Sequence, residues 1–200
     1  HIFSGSLGKI FRNSTKSFKK NKTSWLFADK KRIEEYNNLF SDSKKIKVGL
    51  SWKAKGIFVD KRSISLIDLA KIFPKKRFEI INLQYGDIKS DMKKLEDTKK
   101  RKLIFFDNLN YTNDLDGLAA LICSCDLIVT IGSAVAHLAG ALGKNVWTLV
   151  PTDSHWWWHY YNNKENLWYP NLKIFKQKKR DNWDYVFKIL SKEVRIKYFK

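Results

Sequence analysis

Residues 127–151, LIVTIGSAVAHLAGALGKNVWTLVP, decide the fold of this chain. The first five, Leu127–Ile131, form a short apolar run of the kind found in a buried parallel strand. Gly132 breaks the run, and Ser133 is a suitable N-cap for the good helix formers that follow from Ala134 to Leu142. The stretch therefore begins with a predicted strand, a tight turn and a helix.

A second strand completes this unit. Gly143 is expected to end the helix as a C-cap glycine, and Val146–Val150 is again apolar enough for a buried strand. In such a unit the helix N-terminus stands at the carboxyl end of a parallel strand, where free backbone N–H groups and the helix dipole attract anions. Open α/β sheets bind their ligands along the same edge. We therefore expect an anion site at the start of the helix.

Small residues and one histidine mark this expected site. A ligand could approach the backbone closely at Gly132, Ser133, Ala134 and Ala136. His137 comes one helical turn later, near enough to contact a docked group. Two interpretations of His137 stand side by side: a contact to a ligand, or a side chain wedged between helix and sheet.

The rest of the chain repeats the alternation of strand and helix that is typical of a parallel sheet. Further strands are predicted at Ile46–Trp52, Phe78–Leu83, Leu103–Phe106 and Leu172–Phe175. Further helices are predicted at 30–40, 65–73, 87–99 and 114–124 and after residue 181, with Asp29, Asp114 and Asp181 as caps. We expect an α/β fold, a Rossmann-like parallel sheet flanked by helices, in residues 46–200. Residues 1–45 are interpreted as an N-terminal partial segment, the end of a preceding domain or a connector with one helix.

The chain is strongly basic, with 39 Lys and Arg against 20 Asp and Glu and a net charge of +19. Such a balance suits phosphate-rich ligands, nucleic acid or an anionic membrane surface. No RNA- or DNA-binding motif is recognisable, and the lysines are spread along the whole chain. A general drift of composition toward lysine is the alternative explanation of the charge, and nucleic acid is therefore only a minor hypothesis for the partner.

Hydrophobic content and cysteine usage narrow the class of protein further. The 44% hydrophobic content and the eight Trp are not those of a disordered chain, and no apolar run approaches the length of a membrane span. Cys123 and Cys125 are neighbours in a predicted helix, a spacing that favours free thiols in a reducing compartment. We expect a cytoplasmic protein without a transmembrane segment, a location that includes the inner face of a membrane.

The segment Val129–Trp147 resembles the signature of the heptosyltransferase-like glycosyltransferases, including those linked to tetratricopeptide repeats. In that family a strand is followed by Asp-Thr-Ser, two residues, His, an alanine-rich helix, Gly-Lys-Pro and a second strand, and His137 matches the histidine. The chain departs from the family at four positions: Gly132 for the acid, Ser133 for threonine, Ala134 for serine and Asn145 for proline. The resemblance implies a two-domain GT-B enzyme, in which this segment belongs to the C-terminal, nucleotide-sugar-binding half.

Two further groups are expected at the same edge of the sheet. Four basic side chains follow the first strand, Lys53, Lys55, Lys61 and Arg62. The family uses a basic residue from this region, and an Arg-Ser match favours Arg62, with Lys61 next. The alternative is a solvated basic loop. Gln84 stands in Leu-Gln-Tyr-Gly, which resembles a Leu-Gln-x-Gly step of the family and implies a contact to the donor.

An aromatic run follows the last strand of the central unit. Trp156, Trp157 and Trp158 cannot all point the same way, so at least one could form an aromatic platform for a sugar or a base. A hydrophobic lid over the sheet edge is the alternative. His155 and His159 have a spacing that suits metal binding on a helix, but no third ligand stands beside them, so no metal site is expected.

These observations favour the donor-binding half of a metal-independent GT-B glycosyltransferase, with a nucleotide-diphosphate sugar as substrate and no cofactor. The acceptor and the catalytic base are expected in an N-terminal acceptor domain or helical repeats of the same polypeptide. The missing acid at Gly132 and the positive charge favour an alternative, a non-catalytic GT-B-derived module that binds anions or scaffolds a repeat protein.

Overall fold

The computed structural model describes residues 3, 6–18, 24–55, 59–155, 158 and 166–199, without the side chains of residues 59 and 60. The helices in these ranges are α1 (Leu7–Phe11), α2 (Lys30–Leu39), α3 (Val59–Arg62), α4 (Leu66–Lys71), α5 (Lys89–Lys99), α6 (Leu115–Cys123), α7 (Ala134–Ala141) and α8 (Asp184–Tyr198), with a 3-10 turn at Thr15–Ser17. The strands are β1 (Ile46–Ser51), β2 (Phe78–Asn82), β3 (Leu127–Ile131), β4 (Val146–Val150) and β5 (Leu172–Lys176). None of these helices combines the length and the apolarity needed to cross a membrane.

The five strands form one parallel sheet in the order β2–β1–β3–β4–β5, which confirms the predicted α/β fold. Both faces of the sheet are covered. One hydrophobic cluster joins β-strand side chains to α4, α5 and α8, and a second cluster joins the alternate side chains to α2, α6 and α7. This is why β3 and β4 are buried at every position: a strand that is covered on both faces has no solvent side.

The strand order reverses direction between β1 and β3. From β1 the chain adds β2 on one side, and it then returns to add β3, β4 and β5 on the other side. The loops that leave the carboxyl ends of β1 and β3 therefore diverge, and they open a crevice between them. In doubly wound sheets this crevice is where ligands bind.

Residues Leu103–Phe106 do not form the predicted strand. Ile104 makes one parallel bridge to the edge strand β2, with its N–H donating to the Ile80 carbonyl and its carbonyl accepting from Asn82 N–H. The pairing stops there because the run is short, lies outside the sheet edge and turns at Asp107. The prediction of a strand at this place was therefore wrong beyond a single residue.

Three smaller expectations are also corrected. The loop after β1 contains the short helix α3. The helical spacing of residues 114–124 predicts that Leu115 faces inward with Leu118, Leu121 and Ile122. Those three side chains are buried, but Leu115, the first residue of α6, is 61% exposed. Asp181 does not cap the last helix: it has φ +57° in a turn closed by Asn182 N–H to the Lys179 carbonyl, and α8 begins at Asp184.

Helix α2 packs on the sheet domain and contributes to its second hydrophobic cluster. The Asp29 side chain caps it by accepting from Arg32 N–H at 2.9 Å, as predicted. Arg32 in turn makes a bidentate pair with Asp114, which caps α6 by accepting from Gly117 N–H. The hydrogen bonds from Arg32 hold the pKa of the Asp114 carboxyl below its usual range. The hydrophobic core thus continues across the predicted boundary at residues 45 and 46.

A buried guanidinium joins α4 to the edge strand. Arg101 is 7% exposed and donates to the carbonyls of Ala70, Phe73 and Phe78. Burial lowers its pKa to about 10. The carbonyls at the end of a helix have no partner within the helix, and Arg101 supplies one.

Replacing Arg101 by Met is expected to destabilise the fold. The change keeps the apolar stem of the side chain but removes the hydrogen bonds to the carbonyls of Ala70, Phe73 and Phe78, at a cost of about 2 kcal/mol or more. Urea denaturation measures the loss. Lys102→Met is the control, because Lys102 is exposed and makes only a loose 3.7 Å ion pair with Glu96. Equal stability of the two variants would contradict the role given to Arg101.

Candidate functional site

A cleft of about 480 Å³ opens at the carboxyl edge of the sheet. Its lining comes from the segments that follow four strands: Lys61 and Arg62 after β1, Gly132 after β3, Val150, Pro151, Asp153, Ser154, His155 and Trp158 at the end of β4, and Arg180 after β5. The cleft therefore lies over the point where the strand order reverses. The predicted meeting of the basic loop with the turn after β3 is present in the structure.

The charge of the lining is mostly positive. Lys61, Arg62 and Arg180 are cationic, and Asp153 is the single acid among the lining residues. Asp153 lies 3.7 Å from Arg180, in an exposed ion pair. Arg62 also donates from Nη2 to the Lys55 carbonyl at 3.2 Å, which fixes the side chain to its own loop. The arrangement suits a ligand with negative charge beside Lys61 and Arg62.

Helix α7 begins two residues after Gly132, which lines the cleft, and it has no side-chain cap. Ser133 and Ala134 are not themselves among the described lining residues. Ser133 has the extended backbone of an N-cap residue, but its hydroxyl lies 3.1 Å from the Thr130 hydroxyl and makes no hydrogen bond to the helix. Ala134, the first helical residue, is exposed. The predicted N-cap is therefore correct in position and wrong in its side-chain contact. This leaves the first turn of α7 suited to an external anion.

Gly132 lies directly under Trp158. A Cβ atom built on Gly132 would stand 2.7 Å from Nε1 of Trp158, closer than real side chains approach. Trp158 itself is only 3% exposed. The residue that stands in place of the family's acid is therefore a glycine because the indole of Trp158 occupies the space above it.

His137 is held between two aromatic rings. Its ring stacks on Trp158 at 4.6 Å between centroids, and its Nδ1 is hydrogen-bonded to the Tyr169 hydroxyl at 3.0 Å. Tyr169 packs so tightly on Gly140 that a Cβ there would lie 2.5 Å from the ring. Burial lowers the pKa of His137. His137 thus contacts the wall of the cleft through Trp158, and it is not itself part of the lining.

Gln84 is placed differently from the other predicted site residues. It is 2% exposed, and its side-chain oxygen accepts three hydrogen bonds from the end of β1 and the loop that follows. It does not line the cleft. The side-chain contacts of Gln84 that the structure shows are to the chain itself, and its contact to a donor stays a prediction.

Some predicted residues lie outside the described part of the chain, and some lining residues were missed. Trp156 and Trp157 of the proposed aromatic platform are not described, so only Trp158 can be placed. Arg180 lines the cleft and was not predicted as a site residue, although it follows a strand at the same edge. Tyr169, which holds His137 from outside the lining, was not predicted either. Among the described residues, no three His, Cys, Asp or Glu side chains come together in a group that could hold a metal ion.

Replacing Gly132 by Ala is expected to displace Trp158 and to cost about 1–3 kcal/mol of unfolding free energy through overpacking. The loss should largely disappear in a Trp158→Ala background, because the indole that clashes is absent there. Urea denaturation of the two single variants and the double variant measures the coupling. Gly8→Ala is a control, since a Cβ at Gly8 would meet nothing within 4 Å. Additive losses would contradict the close contact.

His137 predicts a pH dependence of stability. Its folded-state pKa lies below the ordinary value of 6.5, so the unfolded chain binds the proton more tightly. The stability that neutral His137 contributes is complete above about pH 6.5 and is lost as the pH falls through the folded-state pKa. The difference in unfolding free energy between wild type and His137→Gln should therefore shrink from pH 7.5 to pH 5. A difference that is constant with pH would show that His137 is not buried as described.

The chain is similar to known glycosyltransferases in sequence and in fold. Residues 89–185 match the family model of glycosyltransferase family 9 (heptosyltransferase). The protein FlbA of Caulobacter vibrioides is 26% identical over 140 residues, which cover 69% of this chain and 23% of FlbA. The chain thus spans about a quarter of the length of this relative.

Two solved structures share the fold. The ADP-heptose LPS heptosyltransferase II of E. coli superposes with a TM-score of 0.61 at 16% identity, over 86% of this chain and 52% of that chain. The glycosyltransferase of family 9 from Veillonella parvula DSM 2008 superposes with a TM-score of 0.54 at 13% identity, over 78% of this chain and 44% of that chain. The matched portions are about half of each structure. The parallel sheet and its helices therefore form a heptosyltransferase-like domain with the fold of a GT-B glycosyltransferase.

Proposed function

We propose that this chain is the donor-binding half of a GT-B glycosyltransferase and that its cleft holds a nucleotide-diphosphate sugar. The observation that carries the proposal is the meeting of Lys61 and Arg62 with the turn at Gly132 in one cleft at the carboxyl edge of the sheet. This is the edge at which doubly wound sheets bind nucleotides. The similarity to glycosyltransferase family 9 over residues 89–185 supports the same reading.

The proposed chemistry is stabilisation of the leaving group. When the sugar departs, negative charge develops on the diphosphate, and donors that are already in place lower the energy of that transition state. The start of helix α7 offers backbone N–H groups next to Gly132, and Lys61 and Arg62 offer cations from the loop after β1. The proposal needs no cofactor beyond the donor itself.

Trp158 and His137 support the wall of this site. Trp158 is among the residues that line the cleft, and at 3% exposure it forms a packed part of the wall. The His137 ring packs against the indole of Trp158, and its Nδ1 is hydrogen-bonded to the Tyr169 hydroxyl. These two contacts let His137 hold the indole in place. In this proposal His137 acts on the donor through Trp158, rather than by direct contact from the cleft lining.

The acceptor, its binding site and the catalytic base belong to the proposed remainder of a larger enzyme. The chain spans about half of each solved glycosyltransferase that it matches. In a GT-B enzyme the acceptor binds to the other domain. We therefore propose that this chain by itself binds the donor and transfers nothing.

A second candidate is an anion-binding module without transferase activity. It is favoured by the net charge of +19 and by the absence of the family's acid at Gly132. Such a module would bind any polyanion with an affinity that falls steeply with salt. A donor site, in contrast, should distinguish a nucleoside diphosphate from inorganic triphosphate at moderate salt.

Replacing Lys61 and Arg62 together by Ala is expected to weaken nucleotide binding. Each hydrogen bond to a charged group contributes about 1.5–3 kcal/mol, so loss of both cations should lower the affinity for ADP, UDP or their sugar derivatives by roughly a hundredfold or more. Calorimetric titration at 150 mM salt, roughly physiological ionic strength, measures the affinities.

A matched control has the same change of charge at the opposite edge of the sheet. Lys44 and Lys76 are exposed and precede β1 and β2. The Lys44→Ala/Lys76→Ala variant should bind nucleotides as wild type does. If both double variants lose affinity equally, or if triphosphate binds as well as the nucleotides, the anion-binding module is the correct reading.

A further inference from the structure

The Gln84 side chain lies where β1 passes into the basic loop. Its Oε1 accepts hydrogen bonds from Ser51 Oγ at 3.0 Å, from Trp52 N–H at 2.9 Å and from Lys53 N–H at 2.8 Å. Its Nε2 donates to the Tyr85 carbonyl at 3.1 Å. One buried amide therefore binds three consecutive residues at the start of the loop.

The backbone of Gln84 is held by the side chain of Asn82. Asn82 Nδ2 donates to the Gln84 carbonyl at 2.9 Å, and Gln84 N–H donates to Asn82 Oδ1 at 3.1 Å. Both residues are buried, at 0% and 2% exposure. A buried amide whose oxygen and nitrogen are both hydrogen-bonded keeps one orientation, because exchanging the two would place the NH₂ group against three donors.

The base of the loop is closed by a second set of contacts. Ile64 N–H donates to the Trp52 carbonyl at 2.9 Å, and Ala54 N–H donates to Ser63 Oγ at 3.0 Å. The two ends of the loop are therefore held side by side, and Lys61 and Arg62 lie just before the returning end. Whatever fixes Trp52 also fixes the place from which these two cations reach the cleft.

Helix α5 also contacts the start of the loop, through Asp91. Asp91 accepts from Trp52 Nε1 at 3.1 Å and pairs with Lys53 Nζ at 2.5 Å. Lys53 is thus engaged away from the cleft, where it is not among the lining residues. Of the four basic residues after β1, only Lys61 and Arg62 line the cleft.

From these contacts we infer that Gln84 is a positioning residue, which holds the loop after β1 so that Lys61 and Arg62 face the cleft. It acts through the loop and does not contact the donor. The effect of Gln84 on nucleotide binding rests on the proposed function. The chemistry explains why an amide stands here: the oxygen must accept three hydrogen bonds while the nitrogen donates to a carbonyl. Asparagine is one methylene shorter, and glutamate would place a carboxylate oxygen against the Tyr85 carbonyl.

The test compares Gln84→Met with a matched control in the full chain. Gln177 is also a buried glutamine that follows a strand at the carboxyl edge, and its side-chain amide has no hydrogen-bond partner among the described residues. Gln177→Met therefore measures the effect of losing a buried amide as such. Amide hydrogen exchange at Trp52, Lys53 and Ala54 should become faster in Gln84→Met and stay unchanged in Gln177→Met.

A double-mutant cycle separates positioning from direct contact. Gln84→Met should lower the affinity for ADP by about fivefold or more when Lys61 and Arg62 are present, and should have no further effect in the Lys61→Ala/Arg62→Ala background. An equal factor in both backgrounds would overturn the inference, because it would show that Gln84 contacts the nucleotide independently of the loop.

A second variant covers the case in which Gln84→Met does not fold. Gln84→Glu keeps an oxygen that can accept from Trp52 and Lys53, so these two amides should stay protected from exchange in the folded Gln84→Glu chain. Loss of their protection in that folded variant overturns the inference. Failure of the proposed function has a different signature. If wild type binds no nucleotide, the transferase proposal fails, and the exchange rates at Trp52 and Lys53 alone decide whether Gln84 holds the loop.

Discussion

The pairing of β1 with β3 is the constraint on which the rest of the structure depends. Val48–Ser51 lie in parallel register with Leu127–Thr130, and the strand order reverses at this pair. Because both strands run in the same direction, the basic loop after β1 and the start of helix α7 leave the sheet at the same edge. Because the chain then turns to opposite sides, a crevice stays open between them. The position of the cleft is thus a property of the topology, and the residues at the two strand ends decide what the cleft can bind.

Side chains behind the cleft determine its shape as much as those that line it. Trp158 fills the space above Gly132, and the ring of His137 packs against the indole. On the other wall, the buried amide of Gln84 fixes the start of the loop that carries the cations. Both walls are therefore supported by buried groups that are held by hydrogen bonds and ring contacts within the chain. In the proposed function, this support would keep the donors in place as charge develops on the leaving group.

Much of the fold could be predicted because its signals are local. The apolar run of β3, the glycine turn and the alanine-rich helix are each a short-range pattern, and the predicted sheet and helices around residues 127–150 are confirmed. Leu103–Phe106 has the composition of a strand, but strand pairing depends on a neighbour that the pattern does not specify. The burial of Gln84 could not be predicted either, because a polar residue at a strand end is solvated or buried according to the loop that folds over it. For the same reason the tight contact between Trp158 and Gly132 was invisible, since their proximity arises only from the path of the chain after β4.

The most direct test of the central claim is to map where a nucleoside diphosphate binds. The backbone amide resonances of the ¹⁵N-labelled chain would be followed by NMR during titration with ADP or UDP. The account predicts that the shifts concentrate at Gly132–Ala136 and at Lys61 and Arg62, and that amides at the amino edge near Lys44 and Lys76 do not move. Shifts spread over the lysines of the whole surface, or absent from the start of helix α7, would contradict it.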